Sequence, residues 1–281
     1  MDPSDNAEEF FAASFEALTD HKPLRWQNRL FGRLVVGKIP AVCDLPTGLG
    51  KTSVILVWLL ALAAQAQDAK IQLPRRLVYI VNRRTVVDQA TNVVKQIRTR
   101  LLCPSKSEWS RHEPVLRALA EILFKLGSSD NQFLAVSTLR GELADNEEWK
   151  GDPARPAIIV GTIDMIGSKL LFSGYGDGSY WRPQHAGLIG QDSLIVHDEA
   201  HLTPAFSEVL MQVARAQEEC DESRPLRIME LSATARPRSS SACSGSRASR
   251  SCRVSMTSAR TLPRSATACT RLRKSAPPRA S

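Results

Sequence analysis

Two short stretches hold the residue types that chemistry on a phosphate ester needs. The first, LPTGLGKT at 45–52, sets two glycines, a lysine and a threonine between an apolar run (39–43) and a longer one (54–64). Glycines let consecutive backbone N–H groups turn inward onto phosphate oxygens. A lysine then reaches the β/γ-phosphates and a hydroxyl takes a Mg²⁺ position, all at a helix N-terminus. Gly48, Gly50, Lys51 and Thr52 occur in that order, although Leu45 stands where GxxxxGK[ST] has its first glycine. The plain alternative is a glycine turn between a strand and a helix. The second stretch, SLIVHDEAH at 193–201, is an apolar run that ends in adjacent carboxylates. As a strand beside the phosphate-loop strand, it puts Asp198 near Mg²⁺ and leaves Glu199 to orient and polarise an attacking water. Two acids at a strand end otherwise open a solvated loop. Together the stretches imply a site for ATP and Mg²⁺, with Lys51, Asp198 and Glu199 catalytic and with Thr52 and Asp198 on the metal.

Such a site needs elements that deliver both stretches to one place. IPAVCDL (39–45) reads as a strand and Lys51–Gln67 as a helix; RLVYIV (76–81) is a strand and Thr85–Leu102 a helix. HEPVLRALAEILFKLG (112–127) reads as helical, and FLAVST (133–138), AIIVGT (157–162), SLIVHDEA (193–200) and LRIMELSAT (226–234) as strands. Apolar runs this short and continuous mark strands buried on both faces. Their alternation with helices predicts an α/β fold, a mostly parallel sheet flanked by helices. The most apolar segment, VILVWLLALAA (54–64), is too short to span a bilayer and fits a buried core helix.

Charge divides the chain in two. The net charge is +8, yet residues 236–281 carry ten Arg, one Lys and no acid. That leaves 26 basic against 29 acidic residues in 1–235, which is mildly acidic. The tail is Ser, Arg, Ala and Pro without an aromatic residue, so it cannot bury enough surface to fold and is expected to be disordered. Six scattered cysteines form no CxxC pair, and the N-terminus MDPSDNAEEF is acidic, unlike a secretory or transit sequence. A cytoplasmic protein with free thiols and no membrane partner is the expectation.

PTGLGKT (46–52), DEAH (198–201) and SAT (232–234), in this order, resemble motifs I, II and III of superfamily 2 helicases of the DEAH-box type. That resemblance implies a RecA-like ATP-binding domain over 1–235, and the family's loop normally lacks the first glycine. It adds Thr47 to the phosphate-binding residues and makes Gln27, in RWQNRLF ahead of the loop, the adenine-reading glutamine. A glutamine on an amphipathic helix is otherwise simply solvated. VNRRTVVDQA (81–90), STLRGE (137–142) and VGTIDMI (160–166) fall where the family contacts its nucleic acid. Arg84, Arg140, Thr162 and Asp164 are the candidates, with surface ion pairing the alternative for the two arginines. His201 with Ser232 and Thr234 corresponds to the pair that couples the γ-phosphate state to domain movement.

VGTIDMIGSKLLFSGYG and LIVHDEAHLTPAFSEVL are similar to the helicase–nuclease of type I CRISPR–Cas systems, subtype I-U or I-G, over roughly residues 15–235. The resemblance implies an ATP-driven 3′-to-5′ translocase on single-stranded DNA. It also implies an RNA-guided CRISPR surveillance complex as recruiting partner and an HD nuclease domain. The histidines here are His21, His112, His185, His197 and His201, and His197–Asp198 lies where Asp198 is already committed to Mg²⁺. No second ligand cluster accompanies it, so no nuclease site is expected in this chain. The family also places a second RecA-like domain after SAT, where this chain has its basic tail; a truncation or a shifted reading frame is expected. Two alternatives stand: another superfamily 2 member, an RNA helicase or restriction-type translocase, and a basic-tailed nucleic-acid-binding protein with a vestigial ATP site.

Overall fold

The computed structural model describes residues 3–46, 48–127, 133–140, 143–144, 148–174, 176–232 and 254–255. Helices α1 (Pro3–Thr19) and α2 (Arg25–Leu34) precede strand β1 (Val42–Asp44) and helix α3 (Val54–Gln67). Then come β2 (Arg76–Val81), α4 (Arg84–Leu102), α5 (Glu113–Phe124), β3 (Ala135–Arg140), β4 (Leu143–Ala144) and α6 (Glu148–Gly151). β5 (Ala157–Thr162), α7 (Ile163–Leu170), α8 (Arg182–Gly190), β6 (Ser193–Asp198), α9 (Pro204–Glu219), β7 (Arg227–Ser232) and β8 (Val254–Ser255) complete the series. The sheet order is β4-β3-β5-β2-β6-β7-β1-β8, and every pair is parallel except β3 with β4. The fold is α/β, a mostly parallel sheet flanked by helices, as expected.

Alternation along the central strands builds two cores. Leu77, Tyr79 and Val81 of β2, with Leu194 and Val196 of β6, face the layer of α1 to α5. Val78, Ile80 and Ile195 face α6 to α9 on the other side. Each strand is buried on both faces, which is why its sequence runs apolar without a polar alternate. Helix α3 lies between the sheet and α1, α2 and α5, so Val54 to Gln65 are all buried. Its one polar residue in that run is satisfied: Gln65 donates to the Leu34 and Val35 carbonyls and accepts from the Gln72 and Leu73 N–H groups. No helix among the described residues is long and apolar enough to cross a membrane.

Three expectations change. The DEAH strand is not beside the phosphate-loop strand: β7 lies between β6 and β1 and pairs parallel with both. The short crossover through α9 returns the chain to the nearest free position, so the two site strands stand about two strand spacings, roughly 10 Å, apart. The helix expected from Lys51 begins instead as a 3₁₀ turn over Lys51–Ser53, and β1 covers only three residues of the expected seven. The expected disorder of 236–281 falls outside the described residues except at Val254–Ser255, which pair parallel with Cys43 and Asp44. An uncovered β1 edge presents free N–H and C=O groups, and these two residues supply partners for them.

Candidate nucleotide site and the adjoining strand edge

The parallel strands all end on one edge, and the site is built there. Backbone pairing carries β1 one residue further, with the Leu45 N–H donating to the Ser232 carbonyl of β7 at 2.9 Å. Gly48 (φ 84°) and Gly50 (φ 67°) hold left-handed backbone. A Cβ at either would meet no heavy atom within 4 Å. Glycine serves conformation at both positions, and the space above the loop is open to a phosphate. Thr47 lies outside the described residues. The 3₁₀ turn then leads into α3, whose N-terminus adds its partial positive charge to the same place.

Lys51 is only 9% exposed, and its ammonium pairs with the Glu199 carboxylate. Glu199 itself has left-handed backbone, φ 52° and ψ 40°. That geometry costs a non-glycine residue roughly 1–2 kcal/mol, and strain of this kind collects at working sites. Its N–H donates to Asp198 Oδ1 at 2.9 Å, and His201 Nδ1 lies 3.3 Å from its Oε2. Asp198 closes β6 and is 8% exposed. Burial raises its carboxyl above the ordinary value, against the opposing effects of the Tyr79 hydroxyl and the Lys51 charge. Tyr79 Oη donates to Asp198 Oδ2 at 2.7 Å. Burial and then the Asp198 charge push this phenol well above its ordinary value, so it remains a donor.

Gln27 is not solvated on its helix. It is 4% exposed, accepts from the Leu24 N–H at 2.7 Å and donates to Ser53 Oγ at 2.7 Å. Ser53 Oγ in turn donates to the Gly50 carbonyl at 2.7 Å, so α2 is fastened to the phosphate loop. His197 is fully buried, with Nε2 3.0 Å from Thr203 Oγ1 and Nδ1 3.3 Å from Ser207 Oγ. Burial pushes its imidazole down to about 4, which makes it a neutral pin between β6 and α9. Among the described residues no group of three or more His, Cys, Asp or Glu is placed to hold a metal ion. Mg²⁺ asks for less, one or two carboxylates completed by phosphate oxygens and water. A carboxylate and a hydroxyl, Asp198 and Thr52, fit that donor set.

The remaining candidates divide. His201 and Ser232 share the wall of a groove between β1, β7 and α9, while Thr234 lies outside the described residues. Arg84, Arg140, Thr162 and Asp164 stand at the ends of β2, β3 and β5, three neighbouring strands on the same edge. Arg84 and Asp164 are exposed, each in the first turn of its helix. Arg140 is paired with Asp88 of α4, the alternative that its sequence left open. Thr162 is buried at the N-cap of α7. Reading by residue type overlooked Tyr79, Ser53 and Asn82. A tyrosine in the wholly apolar RLVYIV was the available signal, because a buried phenol needs a partner. Asn82 follows β2 directly, and its amide N and O are both buried without a hydrogen-bond partner.

A family model for the res subunit of type III restriction enzymes matches residues 20–236. This chain belongs to that family. The order of its motifs resembles that of superfamily 2 helicases. No curated protein matches the chain. Among solved structures, the yeast DEAD-box splicing factor Prp28 aligns at 15% identity and a TM-score of 0.40, over 77% of this chain and 48% of its own. A nuclease-deletion mutant of the Type ISP restriction-modification enzyme LlaGI, solved with a DNA substrate mimic, aligns at 13% identity and a TM-score of 0.39, over 76% of this chain and 18% of its own. The res-family chain thus spans about half the length of the first and under a fifth of the second.

Proposed function

We propose that this chain binds ATP with Mg²⁺ and serves as the first half of a motor that moves along a nucleic-acid strand. One observation carries the reading: a lysine, two carboxylates and a hydroxyl meet at the left-handed glycine loop, on the edge where the parallel strands end. Thr47, Gly48, Gly50 and the start of α3 hold the phosphates. Thr52 and Asp198 hold Mg²⁺, which when bound offsets charge on the β/γ-phosphates. A phosphate oxygen competes with Glu199 for the Lys51 ammonium. Once Lys51 turns to the nucleotide, Glu199 is released to orient the attacking water. Gln27 retains one amide N–H beyond its bond to Ser53, and the adenine edge is its natural acceptor. His201 with Ser232 and Thr234 transmits the phosphate state, and Arg84, Arg140, Thr162 and Asp164 line the track.

The finer reading is a CRISPR-associated translocase on single-stranded DNA, delivered by an RNA-guided complex to invading DNA. The sequence around TIDM and DEAHL supports it. Membership of the res-subunit family favours a second reading, a restriction-type translocase. Calorimetry with ATP or ADP and Mg²⁺ tests the shared core: binding in the micromolar to millimolar range is expected, and Lys51→Ala should weaken it by up to roughly 100-fold. Equal binding by both proteins would remove the assignment of the phosphate loop. Fluorescence anisotropy with single-stranded DNA, duplex DNA and RNA then separates the finer readings. Preference for single-stranded DNA supports the CRISPR reading; preference for duplex supports the restriction type.

A further inference from the structure

We infer that Tyr79 is a positioning residue that sets the metal-holding carboxylate of the site, Asp198, an inference that rests on the ATP-motor reading. Tyr79 sits in the middle of β2, fully buried, opposite Val196 of β6 in parallel register. Its hydroxyl meets Asp198 Oδ2 at 2.7 Å. An ionised carboxylate can only accept, so the single phenolic proton goes to Asp198. The bond is therefore directed, from the Tyr79 hydroxyl to the carboxylate.

The direction has a consequence for the metal. Asp198 is held at Oδ2 by Tyr79 and at Oδ1 by the Glu199 N–H, so its carboxylate plane is fixed while lone pairs remain on both oxygens. A cation that coordinates few protein groups depends strongly on their being aligned beforehand. Tyr79 supplies that alignment from beneath, out of reach of the nucleotide.

The test is nucleotide affinity at graded Mg²⁺ and in EDTA, by calorimetry, for wild type and Tyr79→Phe, with thermal melting as the fold control. Removing a group that orients a metal ligand typically costs about 10–100-fold in metal affinity or activity. Tyr79→Phe should move the Mg²⁺ midpoint up by about that factor and leave affinity in EDTA within about twofold of wild type. Tyr79→Met should do the same, and it replaces the phenylalanine variant if that fails to fold. In an Asp198→Asn background the further loss from Tyr79→Phe should vanish, because the residue acts through Asp198. An unchanged Mg²⁺ midpoint, or equal weakening with and without Mg²⁺, would overturn the inference and leave Tyr79 as a packed core residue. Nucleotide binding that does not depend on Lys51 would instead remove the motor reading, and this inference with it.

Discussion

The strand edge has two halves that are built differently. Over β2, β6, β7 and β1 the polar side chains are mostly buried and bound to one another: Lys51 to Glu199, Asp198 to Tyr79, Gln27 through Ser53 to the phosphate loop. Over β3, β5 and the start of α4 most candidate groups face outward, with Arg84 and Asp164 exposed and Arg140 in a surface pair, while Thr162 is buried. A nucleotide offers a compact charge whose reacting atoms must be held to within a fraction of an ångström, so its site is fixed in advance. A nucleic-acid backbone offers a repeated charge, and groups that grip and release it in succession work best at the surface. The difference teaches which half should fail sharply on substitution and which should fade.

The largest effect expected concerns turnover. Glu199 can align a water, but charge developing on the γ-phosphate also calls for an arginine from a second RecA-like half. Such a residue is worth about 10³–10⁵ in rate in related phosphoryl transfer. Without that arginine the site should hydrolyse ATP slowly, and single-stranded DNA should not accelerate it. Phosphate release with and without DNA, using Glu199→Gln as the blank, measures this. Robust DNA-stimulated turnover that disappears in Glu199→Gln would mean that a working second half is already present.

Next is the phosphate lysine. Lys51→Ala removes a charge-assisted contact worth about 1.5–3 kcal/mol and leaves Glu199 without its partner, so nucleotide affinity should fall by up to roughly 100-fold. Arg84→Ala, on the outward half, should weaken single-stranded DNA binding by only about fivefold and uniformly across sequences. It should also lower the slope of log affinity against log salt by about 0.7, the value of one phosphate contact. Anisotropy titrations at several salt concentrations decide this; an unchanged slope would take Arg84 off the track.

How much of this was legible beforehand follows the same division. RLVYIV and AIIVGT read as strands over the residues that β2 and β5 occupy, because burial on both faces writes an unbroken apolar run. PTGLGKT and DEAH stood out as candidates because holding phosphate and Mg²⁺ would restrict residue type at each place. Strand order was not legible: an apolar run records that a strand is covered, not which strand lies beside it, and β7 entered between β6 and β1 unannounced. The role of Tyr79 was hidden for a related reason. Its partner Asp198 lies 119 residues after it, and periodicity carries no information over such a distance. Gln27 was visible as a residue, but its burial against Ser53 depends on how α2 meets α3.

Two smaller effects sharpen the contrast. The Lys51–Glu199 pair is partly open to solvent at Glu199, 31% exposed, and a pair of that kind is worth about 1 kcal/mol or less. Because a nucleotide must displace it, Glu199→Gln should tighten ADP binding about threefold even as it abolishes hydrolysis. Weaker binding in Glu199→Gln would show that the carboxylate holds Lys51 in its binding position instead of competing for it.

The smallest effect lies at Arg140, where an ion pair and a nucleic-acid contact compete for one guanidinium. Asp88 and Arg140 are both substantially exposed, so their pairing is weak and screened by salt. A phosphate offers Arg140 the same bidentate geometry as the carboxylate, and Asp88 also repels a phosphate brought close to it. Asp88→Ala should therefore raise affinity for single-stranded DNA by about twofold at low salt, and the gain should fade as salt rises. In the Asp88→Ala background, Arg140→Ala should cost more than it does in wild type, since the freed arginine then contributes its full contact. Anisotropy on the four proteins of this cycle gives the coupling directly. A zero coupling would leave Arg140 a surface ion pair and confine the outward half of the edge to Arg84 and its neighbours on β2 and β5.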